Sequence, residues 1–339
     1  ITVRDNVISI PAGQLTSANF DGSFTNQDTV GGIIGDENSA IRFYNLSANY
    51  YNAPLKIDTF SITNLARPLA AGLVTSEFPL ANLNKSIGGE TFNFKNGTAI
   101  LRLYCKADID NFRFTKPVIS GTVDIKNADI TYIPRNMKLV NSSLTLNFNQ
   151  KDLNITGSRF QLGNSVLNMS LSIENFLNFY YTDPAKILVN LKLSSPQLSL
   201  NEFIPFLATR KAVKRKPVSK NSVKEVSDQL SEVLESAKVN IQLNVNRATY
   251  KRFVATNLNA NVAMLADGIY FNKLSVNHAG GNLSMTGNLK HTGAINKFTM
   301  NAVVSKVNVK EFFYGFENFG QNSITNKNLR GYLSAKVNA

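Results

Sequence analysis

Very few residues in this chain of 339 have the type and spacing that chemistry requires. The only histidines, His278 and His291, lie beside turn residues without a second His or Cys at metal-ligand spacing, so we expect both at surface turns. Cys105 is the single cysteine, which excludes an intrachain disulfide and a cysteine-based metal site. Asp108 and Asp110 flank the edge of a predicted strand, where we expect them to be hydrated. The titratable residues therefore do not form a convergent catalytic group in the sequence.

The glycine-rich stretch 31–35 does not fit a phosphate site. Its sequence, Gly-Gly-Ile-Ile-Gly, lacks the Lys-Ser/Thr ending and the strand-to-helix context of a phosphate-binding loop. Neither Gly-x-Ser-x-Gly nor His-Glu-x-x-His occurs in the chain. We therefore predict no enzymatic activity, no metal and no cofactor.

The chain carries a net charge of +13, part of which is concentrated in one basic run over residues 210–220 that contains no acidic residue. One interpretation of the run is a solvated loop. The other is contact with anionic lipid head groups, in which each basic residue contributes roughly 1 kcal/mol. The candidate head-group contacts are Lys211, Lys214, Arg215 and Lys216. Nucleic acid is not an expected partner, because no helix-turn-helix, zinc-ligand set or aromatic single-strand platform accompanies the charge.

Alternation of apolar and polar residues predicts strands along most of the chain. The clearest predicted strands are 91–94, 99–105, 121–125, 144–148, 153–156, 166–173, 187–193, 239–245, 258–264, 269–271, 283–289 and 298–304. Turn signals at 88–89, 96–97, 267–268 and 280–281 separate them and supply the positive φ that tight hairpins need. We expect a mostly antiparallel meander.

Helical patterns are few. Residues 220–237 have an apolar stripe opposite an acidic one, which predicts one amphipathic helix packed on the sheet. Near the end of the chain, Phe312, Phe313, Phe316 and Phe319 have helical spacing. These aromatic residues are interpreted either as core, or as a cover over an apolar channel or a membrane-facing tip.

One sequence pattern occurs twice. Residues 159–173 match 275–289, with Leu167 and Leu283 at equivalent positions 116 residues apart. Further along, a match at an offset of 109 residues begins at Pro196, as expected when loops differ in length. Such a unit is too long for a solenoid coil, and we interpret it as a multi-strand block duplicated along one sheet.

The alternation places the large apolar residues of each strand on one side. Paired as a meander, about 20 such strands would form an apolar band on the order of 95 Å long, at roughly 4.8 Å per strand. A band of that size would not remain flat in water, and a sandwich, a barrel or a curled trough would each hide it. The candidate groove-lining residues are Leu144, Leu146, Phe148, Leu167, Met169, Leu171, Leu258, Val262, Met264, Leu283, Met285, Leu289, Phe298 and Met300.

We predict a mainly β fold, a long twisted antiparallel sheet curled into an open apolar groove, with a few short helices. The predicted divisions are a β-rich segment over 1–110, a first β unit over 111–207, a basic loop with an amphipathic helix over 208–237 and a second β unit over 238–339. The chain begins at Ile1 within a strand-like run, and it contains neither a signal peptide nor 18 consecutive apolar residues. We expect it to be a fragment, with any membrane anchor outside it.

These patterns resemble the AsmA-like proteins of Gram-negative envelopes, particularly those of the Bacteroidota. The resemblance covers the chain from about residue 57 onward. It is carried by residues 76–84, 117–128, 257–262, 267–269, 280–289, 307–313 and 329–335. The resemblance implies a protein anchored in the inner membrane by an N-terminal helix, with a periplasmic curled β-sheet and an apolar groove. Members of the family are implicated in moving phospholipid toward the outer membrane, so the implied partner is a phospholipid or another acyl-chain lipid, and envelope protein partners stay unidentified.

A physical argument leads to the same role. An acyl chain of 16 carbons enters water at a cost of roughly 12 kcal/mol, at about 0.8 kcal/mol per CH₂ group. An apolar trough lowers that cost along its whole length. Two alternatives stay open: a non-enzymatic envelope scaffold that docks a partner protein through an edge strand, and a glycan-binding β-sandwich, which the absence of Trp disfavours.

Overall fold

The computed structural model describes residues 1–10, 13–85, 91–111, 113–174, 176, 187–204, 237–292 and 295–339. These residues form one open, curled sheet of 17 strands with a few short helices. The strands are β1 (Thr2–Ile10), β2 (Gly13–Thr25), β3 (Ala40–Tyr50), β4 (Ala53–Thr63), β5 (Leu69–Pro79), β6 (Phe92–Asp110), β7 (Arg113–Tyr132), β8 (Met137–Gln150), β9 (Asp152–Leu162), β10 (Ser165–Ile173), β11 (Leu188–Ser199), β12 (Lys238–Tyr250), β13 (Phe253–Leu265), β14 (Gly268–His278), β15 (Gly281–Thr292), β16 (Ile295–Asn308) and β17 (Tyr332–Asn338). The predicted mainly β class and the long curled sheet are confirmed.

Each strand pairs with the strands that precede and follow it, so the order in the sheet is the order in the chain. Among the described strands, all of these ladders are antiparallel except that of β11 with β12. These two strands run parallel, in register from the pair Leu188 and Lys238 to the pair Ser199 and Thr249. At roughly 4.8 Å per strand, the sheet extends on the order of 80 Å across its strands.

Bulges recur along the strands of the curled sheet. The ladder of β7 with β8 shifts register near Asn127 and Asn141, and that of β13 with β14 shifts beside Asn257. All three asparagines have positive φ, at 51°, 50° and 52°, a conformation that Asn tolerates better than most residues. A bulge adds a residue to one strand and increases its twist and bend. Asparagine at these positions therefore lets the sheet curl without ending a strand.

The hairpin predicted at Asn96 and Gly97 is wrong. Strand β6 continues through both residues, and its ladder with β7 shifts register on either side of Asn96. Gly97 has a φ of 105°, and a Cβ atom on it would lie 2.7 Å from Ala128 Cα. Close approach of two backbones therefore requires glycine here, within a bulge rather than a turn. The turns predicted at 267–268 and 280–281 are confirmed, on either side of β14, and the turn predicted at 88–89 lies outside the described residues.

Four described strands end in a short helix at the same edge of the sheet, which we call the capped edge. A 3₁₀ helix at Leu80–Lys85 follows β5, a second at Ile133–Arg135 follows β7, a third at Leu200–Phe203 follows β11, and helix α1 at Val309–Gly315 follows β16. Because all ladders are antiparallel except that of β11 with β12, these four strands run in the same direction. Asn308 begins α1, with its Oδ1 atom accepting a hydrogen bond from the Glu311 N–H at 3.1 Å. The helices therefore line one edge.

The junctions after β5, β11 and β16 each place a buried apolar residue two positions before the helix. Phe78, Leu198 and Val307 occupy these positions and are 5%, 2% and 0% exposed. The duplicated segments 196–203 and 305–312 correspond to the second and third junctions. The first junction, near residues 76–84, is a third copy of the arrangement and was not predicted from the sequence.

A second group of core residues lies nearer the opposite edge. It includes Leu153, Ile173, Val189, Val239 and Met264, each less than a tenth exposed. The predicted helix over 220–237 lies outside the described residues, apart from its last position. The division into units stays a prediction, and the described strands on both sides of each predicted boundary belong to the same sheet.

Candidate functional site

A row of apolar residues crosses the sheet from β3 to β16. Residues directly opposite one another on adjacent strands project to the same side, so the strand register joins them into one row. No residue in the row is polar, and only Gly121 lacks a side chain. The row consists of Leu46, Ile57, Val74, Leu103, Gly121, Phe148, Leu153, Ile173, Val189, Val239, Met264, Ile269, Leu289 and Phe298.

Two further rows run beside it, closer to the capped edge. The second row consists of Leu101, Val123, Leu146, Ile155, Leu171, Leu191, Ile241, Val262, Phe271, Gly287 and Met300. The third row consists of Met169, Leu193, Leu243, Ala260, Leu274, Met285 and Ala302. We call the side of the sheet that these three rows define the apolar face.

The predicted groove-lining residues all lie on the apolar face, but they are not equally accessible. Leu167, Leu258 and Met264 are 1%, 5% and 2% exposed, so they pack in the core. Phe298 is 47% exposed. The partly accessible members are Leu144, Leu146, Phe148, Met169, Leu171, Val262, Leu283, Met285, Leu289 and Met300.

Sequence reasoning missed the centre of the apolar face. Leu191, Leu193, Ile241 and Leu243, on the parallel pair β11 and β12, are all partly accessible and lie between the two core groups. These four residues could have been predicted, because their strands alternate between apolar and polar residues in the same way as the strands that contain the predicted groove-lining residues.

Accessibility changes along each strand of this central region. On β12, Val239 and Val245 are 9% and 2% exposed, whereas Ile241 and Leu243 between them are partly open to solvent. All described strands belong to one sheet, so the described chain has no second sheet over these residues. The result is a band of accessible apolar side chains between two sealed margins.

The other side of the sheet is polar. On β12 the residues that alternate with the apolar ones are Lys238, Asn240, Gln242 and Asn244, and all four are exposed. The sheet is therefore amphipathic across its thickness, with one side suited to water and the other to apolar matter.

Aromatic residues on and after α1 close part of the capped edge. Phe312 is 8% exposed and packs against Val304 and Val307. Phe316 and Phe319 stack with ring centroids 5.4 Å apart and are 39% and 54% exposed. The interpretation of this cluster as core holds for Phe312, while its last two rings form an exposed apolar tip.

His278 is buried, which corrects its predicted place at the surface. It ends β14 beside the predicted turn but is only 7% exposed. The ring lies 4.4 Å from that of Phe253 and 6.1 Å from that of Phe312, and Nδ1 is 2.7 Å from the Val254 carbonyl oxygen. Its Nε2 atom has no hydrogen-bond partner and faces Gly315, where a Cβ atom would lie 3.0 Å away. His278 therefore acts as a packing residue beneath α1.

We call α1 and the following 3₁₀ helix at Glu317–Gly320 the C-terminal cap. An ion pair links this cap to the β12–β13 turn. Lys251 Nζ donates to Glu317 Oε2 at 2.8 Å. This hydrogen bond and the paired charges raise the pKa of Lys251 and lower that of Glu317. Both side chains are about half exposed, so solvent screens the pair strongly.

Glu202, in the 3₁₀ helix that follows β11, also links a helix of the capped edge to a neighbouring turn. Its carboxylate accepts the Asn164 N–H at 2.8 Å and the Ser165 hydroxyl at 2.5 Å, and Ser165 Oγ accepts the Ser199 N–H at 2.9 Å. A Cβ atom on Gly163 would lie 2.3 Å from Glu202 Oε1. The carboxylate therefore secures the β9–β10 turn to the end of β11.

Cys105 lies on the apolar face, between Gly72 of β5 and Ile119 of β7. Burial raises the pKa of its thiol. Cys105 therefore serves as a small apolar residue of its strand.

The remaining predicted contacts and comparisons do not define another site. The basic run with Lys211, Lys214, Arg215 and Lys216 lies outside the described residues. Among the residues that are described, no cluster of three or more His, Cys, Asp or Glu side chains could hold a metal ion. In the same part of the chain, no helix has the length and apolar character needed to cross a bilayer. Comparison with protein-family models, curated proteins and solved structures finds no match to this chain.

Proposed function

We propose that this protein binds acyl chains of phospholipid along its apolar face and carries them across the aqueous space of a Gram-negative envelope. In this proposal the chain is the periplasmic part of a protein anchored in the inner membrane, and lipid moves toward the outer membrane. The observation that carries the proposal is the second row, from Leu101 of β6 to Met300 of β16, which contains no polar residue and is partly accessible at every position. No catalytic step is involved.

The continuity of the row matters because transfer needs an even surface. An acyl chain in water costs about 0.8 kcal/mol per CH₂ group relative to an apolar environment. One polar position in the row would interrupt the apolar contact and create a local barrier. Half-buried side chains such as Ile241 and Leu191 can exchange contact with each other for contact with a sliding acyl chain. Such binding is weak and not specific for one acyl chain, so the protein can release a lipid as well as capture it.

The amphipathic cross-section supports the same role. The polar side, represented by Gln242 and Asn244 on β12, keeps the sheet in water while the opposite side carries the apolar cargo. The sealed margins, at Val239 and Val245, confine the accessible band to the middle of the strands. A cargo that lies across the strands would therefore follow the long dimension of the sheet.

The test compares two variants on neighbouring positions of β12. Ile241→Glu introduces a charge on the apolar face, and Gln242→Glu introduces the same charge on the polar side. Protein purified from its native host is extracted, and the lipid per protein is measured by mass spectrometry. We expect wild type and Gln242→Glu to retain phospholipid and Ile241→Glu to lose most of it.

A second measurement covers the case in which Ile241→Glu fails to fold. A photo-crosslinker attached to the native Cys105 thiol, with complete labelling verified by intact mass because the thiol reacts slowly, should capture acyl chains in the otherwise unchanged protein. Absence of extracted lipid together with absence of crosslinked lipid would overturn the proposal, and so would equal lipid content in two folded variants.

A second candidate function is an assembly scaffold. It is favoured by the two outermost strands, since β1 pairs only with β2 and β17 only with β16 among the described strands. Backbone groups on the outer side of such strands can pair with a strand of a partner protein. This function predicts protein without bound lipid and a stable complex with another envelope protein.

A further inference from the structure

The loop between β2 and β3, residues 26–39, exposes large apolar side chains at the edge opposite the caps. Val30, Ile33 and Ile34 are 97%, 88% and 64% exposed. Grouped exposed apolar residues of this kind mark contact surfaces more often than isolated ones do. Neither the sheet nor the capping helices use these three side chains.

The loop is an ordered platform. Asn38 Oδ1 accepts the Thr29 N–H at 2.7 Å, and Asn38 Nδ2 donates to the Ile33 carbonyl oxygen at 3.1 Å. Gln27 Nε2 donates to the Gly32 carbonyl oxygen at 3.1 Å. Because side chains within the loop satisfy these backbone groups, less hydration has to be removed when the tip enters a less polar medium. Hydrogen bonds within the loop therefore hold its apolar side chains in an outward orientation.

The charge of the loop restricts its partner. It contains Asp28, Asp36 and Glu37 and no Lys or Arg. Asp28 is paired with Arg42 of β3 at 2.6 Å, which leaves two acidic side chains near the tip. Acidic groups are repelled by an anionic surface. The combination of apolar and acidic residues therefore fits a zwitterionic lipid interface.

The apolar face reaches the sheet edge beside this loop. Phe24, at the end of β2, is 64% exposed and lies opposite Ile41 of β3. The register continues from Ile41 through Ile62 to Ala70, on the same side of β5 as Val74. An acyl chain leaving a bilayer at the loop would meet Phe24 first.

We propose that loop 26–39 docks the protein on a zwitterionic bilayer by inserting Val30, Ile33 and Ile34 into the interface. The use of this contact as the point where acyl chains enter or leave rests on the proposed function, whereas the docking itself does not.

The first test is flotation with phosphatidylcholine vesicles at about 0.5 M salt. At this salt concentration the screening length is about 4 Å, so electrostatic adsorption of the positively charged protein is suppressed. We expect Ile33→Ser with Ile34→Ser to lower vesicle binding at least about tenfold, because two buried apolar side chains are lost. Thermal unfolding should not change, since both side chains face solvent in the free protein. The matched control is Ile133→Ser, which removes an isoleucine that is 39% exposed at the capped edge.

The second test uses the absence of tryptophan from the chain. Ile33→Trp places a single indole at the loop tip, and Ile133→Trp places one at the capped edge. We expect the fluorescence of the first variant to shift to the blue and to be quenched by brominated phosphatidylcholine, while the second shows neither change.

The outcomes separate this proposal from the preceding one. Lost flotation with bound lipid retained supports docking through the loop. Unchanged flotation of the double Ser variant, or an indole at position 33 that stays in water, overturns the docking and leaves lipid carriage intact. Flotation by protein that never contains lipid supports the docking and overturns lipid carriage. If light scattering shows that the double Ser variant dissociates a dimer without altering flotation, the loop is a contact between two copies and the proposal is wrong.

Discussion

Val189 of β11 lies directly opposite Val239 of β12, and the two strands run parallel at this pair. Both residues are less than a tenth exposed, and both belong to the row that crosses the sheet from β3 to β16. The ladder that contains this pair joins the strands before residues 205–236 to those after them. The apolar face is therefore continuous from β11 to β12.

Gly121 is the position at which the row lacks a side chain, and we expect Gly121→Ala to be strongly destabilising. Its φ is 131°, and a Cβ atom would lie 2.1 Å from the Arg102 carbonyl oxygen, which is backbone of the adjacent strand. The control is Gly157→Ala, where φ is 58° and no atom lies within 4 Å of the added methyl group. The control should cost only the roughly 1–2 kcal/mol of a left-handed residue. Denaturant unfolding would measure both, and a smaller loss for Gly121→Ala than for Gly157→Ala would contradict the close approach of β6 and β7.

Leu167→Ala should destabilise the protein by about 2–5 kcal/mol, because the side chain is 1% exposed and its removal leaves a cavity. Leu283 occupies the equivalent position in the second copy of the repeat but is partly accessible. Leu283→Ala should therefore cost less. The comparison is made by urea unfolding of both variants, and equal losses would mean that the two copies are equally sealed.

Cys105 should react slowly with thiol reagents in the native protein. Burial raises the pKa of the thiol, so at pH 8 a smaller fraction is thiolate, the form that reacts. Alkylation should accelerate as the pH rises, and more strongly after unfolding in denaturant. The rate with iodoacetamide from pH 7 to 10 provides the measurement, with the unfolded protein as reference. A native rate equal to the unfolded rate would mean that the Cys105 thiol is not buried.

The C-terminal cap should depend on Phe312 much more than on its ion pair. Phe312→Ala removes a ring that is 8% exposed and should cost about 3–5 kcal/mol. Lys251→Ala removes one charge of a solvent-exposed ion pair. Such a pair contributes little to stability, because water and salt screen it. Thermal unfolding at low and high salt would distinguish the two, with Lys251→Ala expected to match the wild type at high salt. A larger loss for Lys251→Ala would mean that the electrostatic contact, not the aromatic packing, holds α1.

The alternation of residues in single strands was enough to predict the apolar face, because side-chain direction in a strand follows directly from position. Met169 and Met285 were assigned to the same side of the sheet in this way, and their register confirms it.

Features that depend on distant partners could not be predicted from the sequence. The signal at Asn96 and Gly97 is the same for a hairpin and for a bulge, and only the neighbouring strand β7 decides between them. The burial of His278 requires Phe253 and Phe312, which come from other elements. The local sequence around His278 contains a turn signal and no indication of those rings.

The openness of the sheet has a consequence for how such a protein can change over evolutionary time. A closed barrel must keep strand number, tilt and shear mutually consistent, whereas an open sheet has no such condition. Gain or loss of one hairpin alters its length by about 10 Å and leaves the profile across the strands unchanged. Selection can therefore adjust the span of the molecule one hairpin at a time.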